Sequence, residues 1–264
     1  MTLAAPDLQA LRQAKILLEH PGLAAKASNL LGSPIEKGLA LLPGQWAEKV
    51  GDATRKAIEV ALSTALKTMG SDTATKTSSN WWHKSAVFAS GAVGGAFGLP
   101  ALALELPVST TIIMRSIADI ARSEGEDLSS HDVRLQCVQV LALGGVAKHD
   151  DAAETGYFAA RAALSEAITA AAKHLAAGGL NSKMAPPLIR LITDIAARFS
   201  IVVTEKAAAQ AIPLVGAAGG ALINTLFISH FQDMARGHFT VRRLERLYGP
   251  ERVKEAYAAL ETRK

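Results

Sequence analysis

The sequence predicts an all-α protein: a compact multi-helix bundle of about 9–12 helices with a central pair of Gly/Ala-rich apolar helical hairpins. Three observations predict it. No window sustains the period-two alternation of a half-buried strand, and the β-branched run Ile201-Val202-Val203-Thr204 is too short for a sheet. Apolar residues recur at spacings of three and four. Gly and Pro punctuate the chain at helix-length intervals.

Taken in order, Pro6 to Glu19 reads as an amphipathic helix carrying Leu8, Leu11, Ile16 and Leu18. Gly32-Ser33-Pro34 starts the next, with Ser as N-cap and Pro at the first helical position. Gln45 to Met69 is a longer helix closed by Gly70. The polar run 71-SDTATKTSSN-80 has no periodicity and reads as a mobile loop. Pro107 to Ser123 is a helix stopped by Gly125. Ser129 and Asp132 make a capping box for a helix ending at Gly144-Gly145. Asp151 to Ala177 is alanine-rich and stopped by Gly178-Gly179. Pro186-Pro187 opens another helix, and Gly249-Pro250 separates the last two. The divisions are an N-terminal helical segment 1–70, the loop 71–80 and a helical core 81–264, together one integrated domain.

The 264 residues suffice for a substantial core. Apolar residues are 49% and charged residues 20%, with mean hydropathy +0.19, at the apolar end for a soluble chain. One cysteine, Cys137, excludes an internal disulfide and suits a reducing compartment. The start, MTLAAPDLQALRQAK, has no basic n-region and no long apolar h-region. The expected location is therefore cytoplasmic, peripheral to the inner membrane and without a signal peptide. Net charge is +4, and Arg236 to Lys264 supplies all of it, with eight Lys/Arg against four Asp/Glu. Such a tail suits an anionic surface; a solvated helix face is the bland alternative.

Two uncharged runs stand out, Ala86 to Leu104 and Ala207 to Ser229. Their glycines are Gly91, Gly94, Gly95 and Gly98 in the first and Gly216, Gly219 and Gly220 in the second. A phosphate-binding loop would need a Lys-Ser/Thr pair after the glycines, and Phe97-Gly98-Leu99-Pro100 stands there instead. Both runs meet the length rule for a spanning helix, but Pro100 and Pro213 break them, and their Ala/Gly content makes insertion marginal. Spacing by four lines glycines along one helix face and lets a partner backbone approach. The expectation is that these two segments pack on each other. Gly91 to Phe97 is echoed by Gly216 to Leu222, and Asp119-Ile-Ala-Arg122 by Asp233-Met-Ala-Arg236, which suggests a duplicated hairpin.

Four stretches, 102-LALELPVSTTIIMRSIADIARSEGEDLS-129, 133-VRLQCVQVLALGG-145, 153-AETGYFAARAAL-164 and 231-FQDMARGHFTVRRLERLYG-249, resemble the EcsC protein family. The resemblance runs from about Pro6 to Tyr257. That family is bacterial, helical and poorly characterised, named for a gene beside an ABC-transporter pair. The resemblance implies a membrane neighbourhood but no established reaction and no catalytic residues. Proteins of this type have sometimes been labelled peptidases.

The residues offer no support for a zinc peptidase, since none of the seven histidines forms HExxH. His149-Asp150-Asp151 with Glu154 reads as a helix start rather than a cation site. Cys137 reads as a buried, inert thiol, and Ser109-Thr110-Thr111 lacks a nucleophile elbow. No catalytic residue, metal or cofactor is assigned. The candidate site is ionic: Glu105, Arg115, Asp119, Arg122, His230, Asp233 and Arg236. It reads either as a register-fixing salt-bridge network or as a charged site for a headgroup or small anion. Trp81 and Trp82, with Arg242, Arg243 and Arg246, are the expected membrane-surface residues.

Nucleic acid is excluded as a partner, because no reading module is present and aromatics are only 5%. The expected function is membrane-associated and accessory, without a defined reaction. Anionic inner-leaflet lipid and a membrane protein are the expected partners. The alternatives are a soluble helical carrier for an apolar or lipid ligand and a hydrolase of unknown type.

Overall fold

The computed structural model describes residues 3–19, 22–32, 34–42, 44, 46–68, 99–144, 156–178, 185–212 and 216–260. The fold is all-α; among the described residues there are ten helices and no strand. They are α1 (Ala5–Glu19), α2 (Leu23–Leu31), α3 (Ile35–Ala40), α4 (Trp46–Thr68), α5 (Leu99–Ser123), α6 (His131–Leu143), α7 (Gly156–Ala176), α8 (Pro186–Ala211), α9 (Gly216–Tyr248) and α10 (Pro250–Ala259). The loop expected at 71–80 lies outside the described residues, as do Trp81, Trp82, Gly91, Gly94, Gly95, Gly98 and the stretch His149 to Glu154.

The longest helix is α9, 33 residues, and α1, α2, α5, α6, α8 and α10 pack around it. Burial covers most of the girth of its middle: Phe227, Phe231 and Phe239 are fully buried, as are Ile228, Ala235 and Leu244. Each buried phenylalanine contributes about 2 kcal/mol. Along that middle only a stripe through Ser229, Asp233, Arg236 and Thr240 stays partly exposed, so polar residues off that stripe must find partners inside. Gly249, in the left-handed region at φ 90°, ends α9, and Pro250 starts α10 as expected.

Side-chain pairs set the direction of the neighbours. Gln232 donates to Ser116 at 2.8 Å and Thr240 to Glu124 at 3.3 Å, both pairs 116 residues apart, so α5 runs parallel to α9 in constant register. The two Asp-x-x-Arg echoes therefore lie on parallel helices. Asp7 meets Arg243 and Tyr248 while Gly237 meets Leu18, so α1 runs antiparallel to α9. Arg134 donates to Leu66 O at 2.9 Å, which places the end of α4 at the start of α6. One end of the bundle thus holds the starts of α5 and α9, the end of α8, and α2 and α3. The other holds the ends of α5 and α9 and the start of α1.

The start of α5 and the cap of α6 differ from expectation, while α6 ends at Gly144 as expected. Helix α5 begins at Leu99, eight residues before Pro107, which sits inside it. An interior proline loses one backbone bond and is normally a stop, but packing of α5 against α4 and α9 overrides it. Ser129 is not the cap of α6. Its hydroxyl donates to Asp127 Oδ2 at 2.7 Å, and Ser130 takes the N-cap position. Gly144 has an ordinary φ of −75°. Glycine is needed there for space, because a Cβ would stand 2.6 Å from His230 Nε2.

Small residues do bring helices to backbone contact, at glycines other than those singled out. A Cβ on Gly38 would collide with the Ala208 carbonyl of α8, and one on Gly237 would stand 2.6 Å from Leu18 Cγ and 3.0 Å from Ala14 O. Gly216, Gly219 and Gly220 form the first turns of α9, with Gly220 buried. Substitutions separate the two roles of glycine. Gly38→Ala must push α3 off α8 and should lower stability by about 3 kcal/mol. Gly51→Ala, mid-helix with nothing within 4 Å, should raise it by about 0.5–1 kcal/mol. Urea unfolding of both variants checks the contrast.

Candidate functional site

The expected ionic set divides into separate groups. Glu105 and Asp119 lie 14 residues apart on α5, about 21 Å along the axis at 1.5 Å per residue. Asp119 pairs with Arg122 at 3.0 Å near the surface, and Arg115 is exposed. Asp233 pairs with Arg236 at 3.3 Å and with Lys26 of α2 at 2.9 Å. These partly exposed pairs tie neighbouring turns and helices and contribute little stability each.

Glu105 is different. Its Oε1 accepts from Lys206 Nζ of α8 at 2.6 Å, and both side chains are buried. The ammonium also stands 4.6 Å from the centroid of the Phe227 ring of α9. Burial pulls the Lys206 pKa below its ordinary value, and the Glu105 carboxylate opposes that shift. Glu105 Oε2 accepts no hydrogen bond from the described residues. The pair joins α5, α8 and α9 at the end where α5 and α9 begin.

Both buried histidines of α9 are neutral. His230 Nε2 donates to Gly144 O at 3.1 Å, because a carbonyl can only accept; its Nδ1 is a bare, buried acceptor. Arg161 donates to the Tyr157 hydroxyl at 3.2 Å, and that hydroxyl shares a hydrogen bond with His238 Nδ1 at 3.0 Å. The other ring nitrogen, His238 Nε2, is buried without a partner among the described residues. Arg161 itself is held by Glu245 through two bonds of 2.7 and 3.0 Å. Burial lowers His230 to about 4 and His238 well below its ordinary value, where Arg161 and Arg242 add to the effect.

The sign of the resulting pH dependence follows. Below about pH 6.5 the unfolded chain takes up protons that the folded chain refuses, so stability falls as pH falls. The His230 contribution alone is about 3 kcal/mol, lost between pH 6.5 and about 4. The urea midpoint should drop steadily over that window, and His230→Asn should flatten the slope.

The arginines expected at a membrane surface are each paired with a carboxylate of the protein, with Arg243 and Arg246 still partly exposed. Glu126, with a side chain only 3% exposed, accepts from Arg242 Nε at 2.9 Å and from Arg246. Arg243 bridges Glu124 at 2.9 Å and Asp7 at 3.4 Å. Arg246 also donates to Glu124 O at 2.7 Å. The free basic face read from the sequence is thus a clamp closing α9 onto the α5–α6 turn and the start of α1. These residues lie about 23 positions beyond Gly220, roughly 35 Å down a straight helix. Replacing Arg242 and Arg246 together by Gln strands a buried carboxylate and should cost about 3–5 kcal/mol. Arg236→Gln, at a partly exposed pair, should cost under about 1 kcal/mol. Denaturant titrations at pH 7 measure the difference.

Burial pushes the Cys137 thiol far up, into an unreactive state. Ser109 and Thr110 donate to Leu106 O, and Thr111 to Pro107 O, so their hydroxyls serve their own helix. Among the described residues no His, Cys, Asp or Glu group is arranged to hold a metal ion. No helix there is long and apolar enough to cross a membrane.

The family model described as the EcsC protein family matches residues 6–244. The chain belongs to the EcsC protein family. No curated protein and no solved structure matches it. The matched region contains the Glu105–Lys206 pair, both buried histidines and Arg242 and Arg243 of the clamp; α10 follows it.

Sequence reasoning missed Lys206, Tyr157, Arg161, His238 and Glu245. A signal for Lys206 existed. Glu105 is the first charge after one uncharged run, and Lys206 is the last before the other. Two opposite charges at the mouths of two apolar runs invite pairing. Tyr157 and Arg161, one turn apart, were a weaker signal of the same kind.

Proposed function

We propose that this EcsC family protein is a membrane-associated accessory protein that seats one end of its bundle on a lipid surface without spanning it. The observation that carries this reading is where the large apolar side chains stand exposed. Among the described residues Leu30, Leu39, Leu41, Val108 and Leu222 are exposed at the end built from α2, α3 and the starts of α5 and α9. Only Leu8, Ile16 and Leu247 are exposed elsewhere. A small second core of Ala27, Ile35, Ala208, Ala209, Ile212 and Ile223 supports this end. A concentration of apolar surface, backed by its own core, fits an interface.

The arginine clamp plays a structural part in this reading. Attraction to an anionic leaflet comes from the net charge of +4, and apolar insertion provides the hold. Binding should therefore survive high salt, which screens charge but not burial.

Vesicle flotation tests the reading. Wild type should float with anionic vesicles at both low and high salt. Leu39→Gln with Leu41→Gln should fold normally, being exposed, and lose most of the high-salt binding. Equal flotation of the two proteins, or none by either, would overturn it.

A further inference from the structure

The Glu105–Lys206 pair is short of partners in a way that helix packing leaves unexplained. An ammonium carries three hydrogens. Lys206 gives one to Glu105 Oε1, and the Phe227 ring covers part of the rest. Among the described residues no donor reaches Oε2 of Glu105, which is 7% exposed. Gln210 follows Lys206 by one turn on the same face of α8, and its buried Nε2 has no acceptor. A buried polar atom left in this way costs about 1–3 kcal/mol, so two of them, one on the carboxylate bonded to Lys206 and one a helical turn along from Lys206, call for a partner. That partner has to accept from Lys206 and Gln210 and donate to Glu105.

Charge narrows its chemistry. The pair is neutral as a unit, so a ligand with net charge would bring an uncompensated charge out of water. A ligand carrying both signs would not. Several hydrogens from Lys206 and Gln210 need several acceptor oxygens, which a phosphate has. The vacant Glu105 oxygen needs an N–H, which a primary ammonium has and a quaternary one lacks. The exposed Val108, one turn from Glu105 on α5, brings outer surface to within a helical turn of the pair.

We propose that Glu105, Lys206 and Gln210 recognise a primary ammonium–phosphate zwitterion: the ammonium at Glu105 Oε2, the phosphate at Lys206 Nζ and Gln210 Nε2. The same chemistry occurs in an aminophospholipid headgroup and in free phosphoethanolamine. The lipid form rests on the membrane reading above; the free form does not.

The full-length chain is tested by thermal melting and calorimetry with soluble phosphoethanolamine and phosphocholine. Flotation follows on vesicles containing ethanolamine or choline phospholipid. Phosphoethanolamine should raise Tm, phosphocholine should not, and the affinity ratio should be at least about tenfold, or 1.4 kcal/mol. Glu105→Gln with Lys206→Met removes both charges at similar volume, a change that often leaves stability intact, and should abolish the discrimination. Gln210→Met, at a less buried residue, should weaken phosphoethanolamine several-fold even if the double variant fails to fold.

Equal response to the two soluble ligands, or no response to either with no headgroup preference on vesicles, would overturn the proposal and leave water as the missing partner. Headgroup preference retained in the double variant would overturn it too. Soluble discrimination without flotation would uphold this site while the membrane reading fails. Flotation without discrimination would do the reverse.

Discussion

The enclosure of α9 by six helices is the constraint on which the rest of this structure depends. A helix buried over most of its girth must find partners for the polar side chains on its buried faces inside the protein, or leave them costly. From one end of α9 to the other these are Gln232, His230, His238, Glu245, Arg242, Arg243 and Arg246, and each draws in a neighbour. Gln232 takes Ser116 of α5, His230 the Gly144 carbonyl, His238 Tyr157 of α7, and Glu245 Arg161. The arginines take Glu124, Glu126 and Asp7. These contacts reach α1, α5 and the turn after it, the end of α6, and α7, and together they fix the register of α9 against those elements. The apolar faces provide the driving force and the polar contacts select the register.

The same helix keeps two kinds of surface apart. At its start lie exposed leucines, a small auxiliary core and the incompletely satisfied Glu105–Lys206 pair. At its end lies a dense, mutually satisfied ion network. A rigid helix of this length prevents both from meeting one flat surface side by side. The basic tail and the apolar runs, which composition places together as a membrane-binding set, are therefore assigned different work. One holds the fold shut, and the other is where the molecule has unspent interactions.

Much of the secondary structure was legible because its signals are local. Gly249-Pro250, Pro186-Pro187 and the periodicity of α1 act through φ restriction, missing N–H groups and side-chain spacing, all contained within a few residues. Where local rules failed, a distant contact had outweighed them. Pro107 lies inside α5 because two neighbouring helices hold it there. Ser129 turns to Asp127 instead of capping α6. Gly144 is required by a histidine 86 residues away. Of the candidate site, Glu105 was legible as a charge in an apolar setting, but Lys206, 101 residues on, was not. The carboxylates that claim Arg242, Arg243 and Arg246 were equally hidden, since a basic stripe looks the same whether it faces solvent or a buried glutamate.

The sequence by itself determined an all-helical chain, most of its helix boundaries, its family and the absence of a recognisable catalytic motif. Those properties depend on neighbours in the chain or on patterns carried in order along it. The tertiary structure alone decided which charges are free. Pairing is a property of atoms brought together from α1, α5, α7, α8 and α9, and loss of water on burial turns an ordinary lysine or histidine into a group whose partners matter. For that reason the arginine tail changed from a basic stripe to a clamp, while one glutamate and one lysine at the opposite end became a buried ion pair.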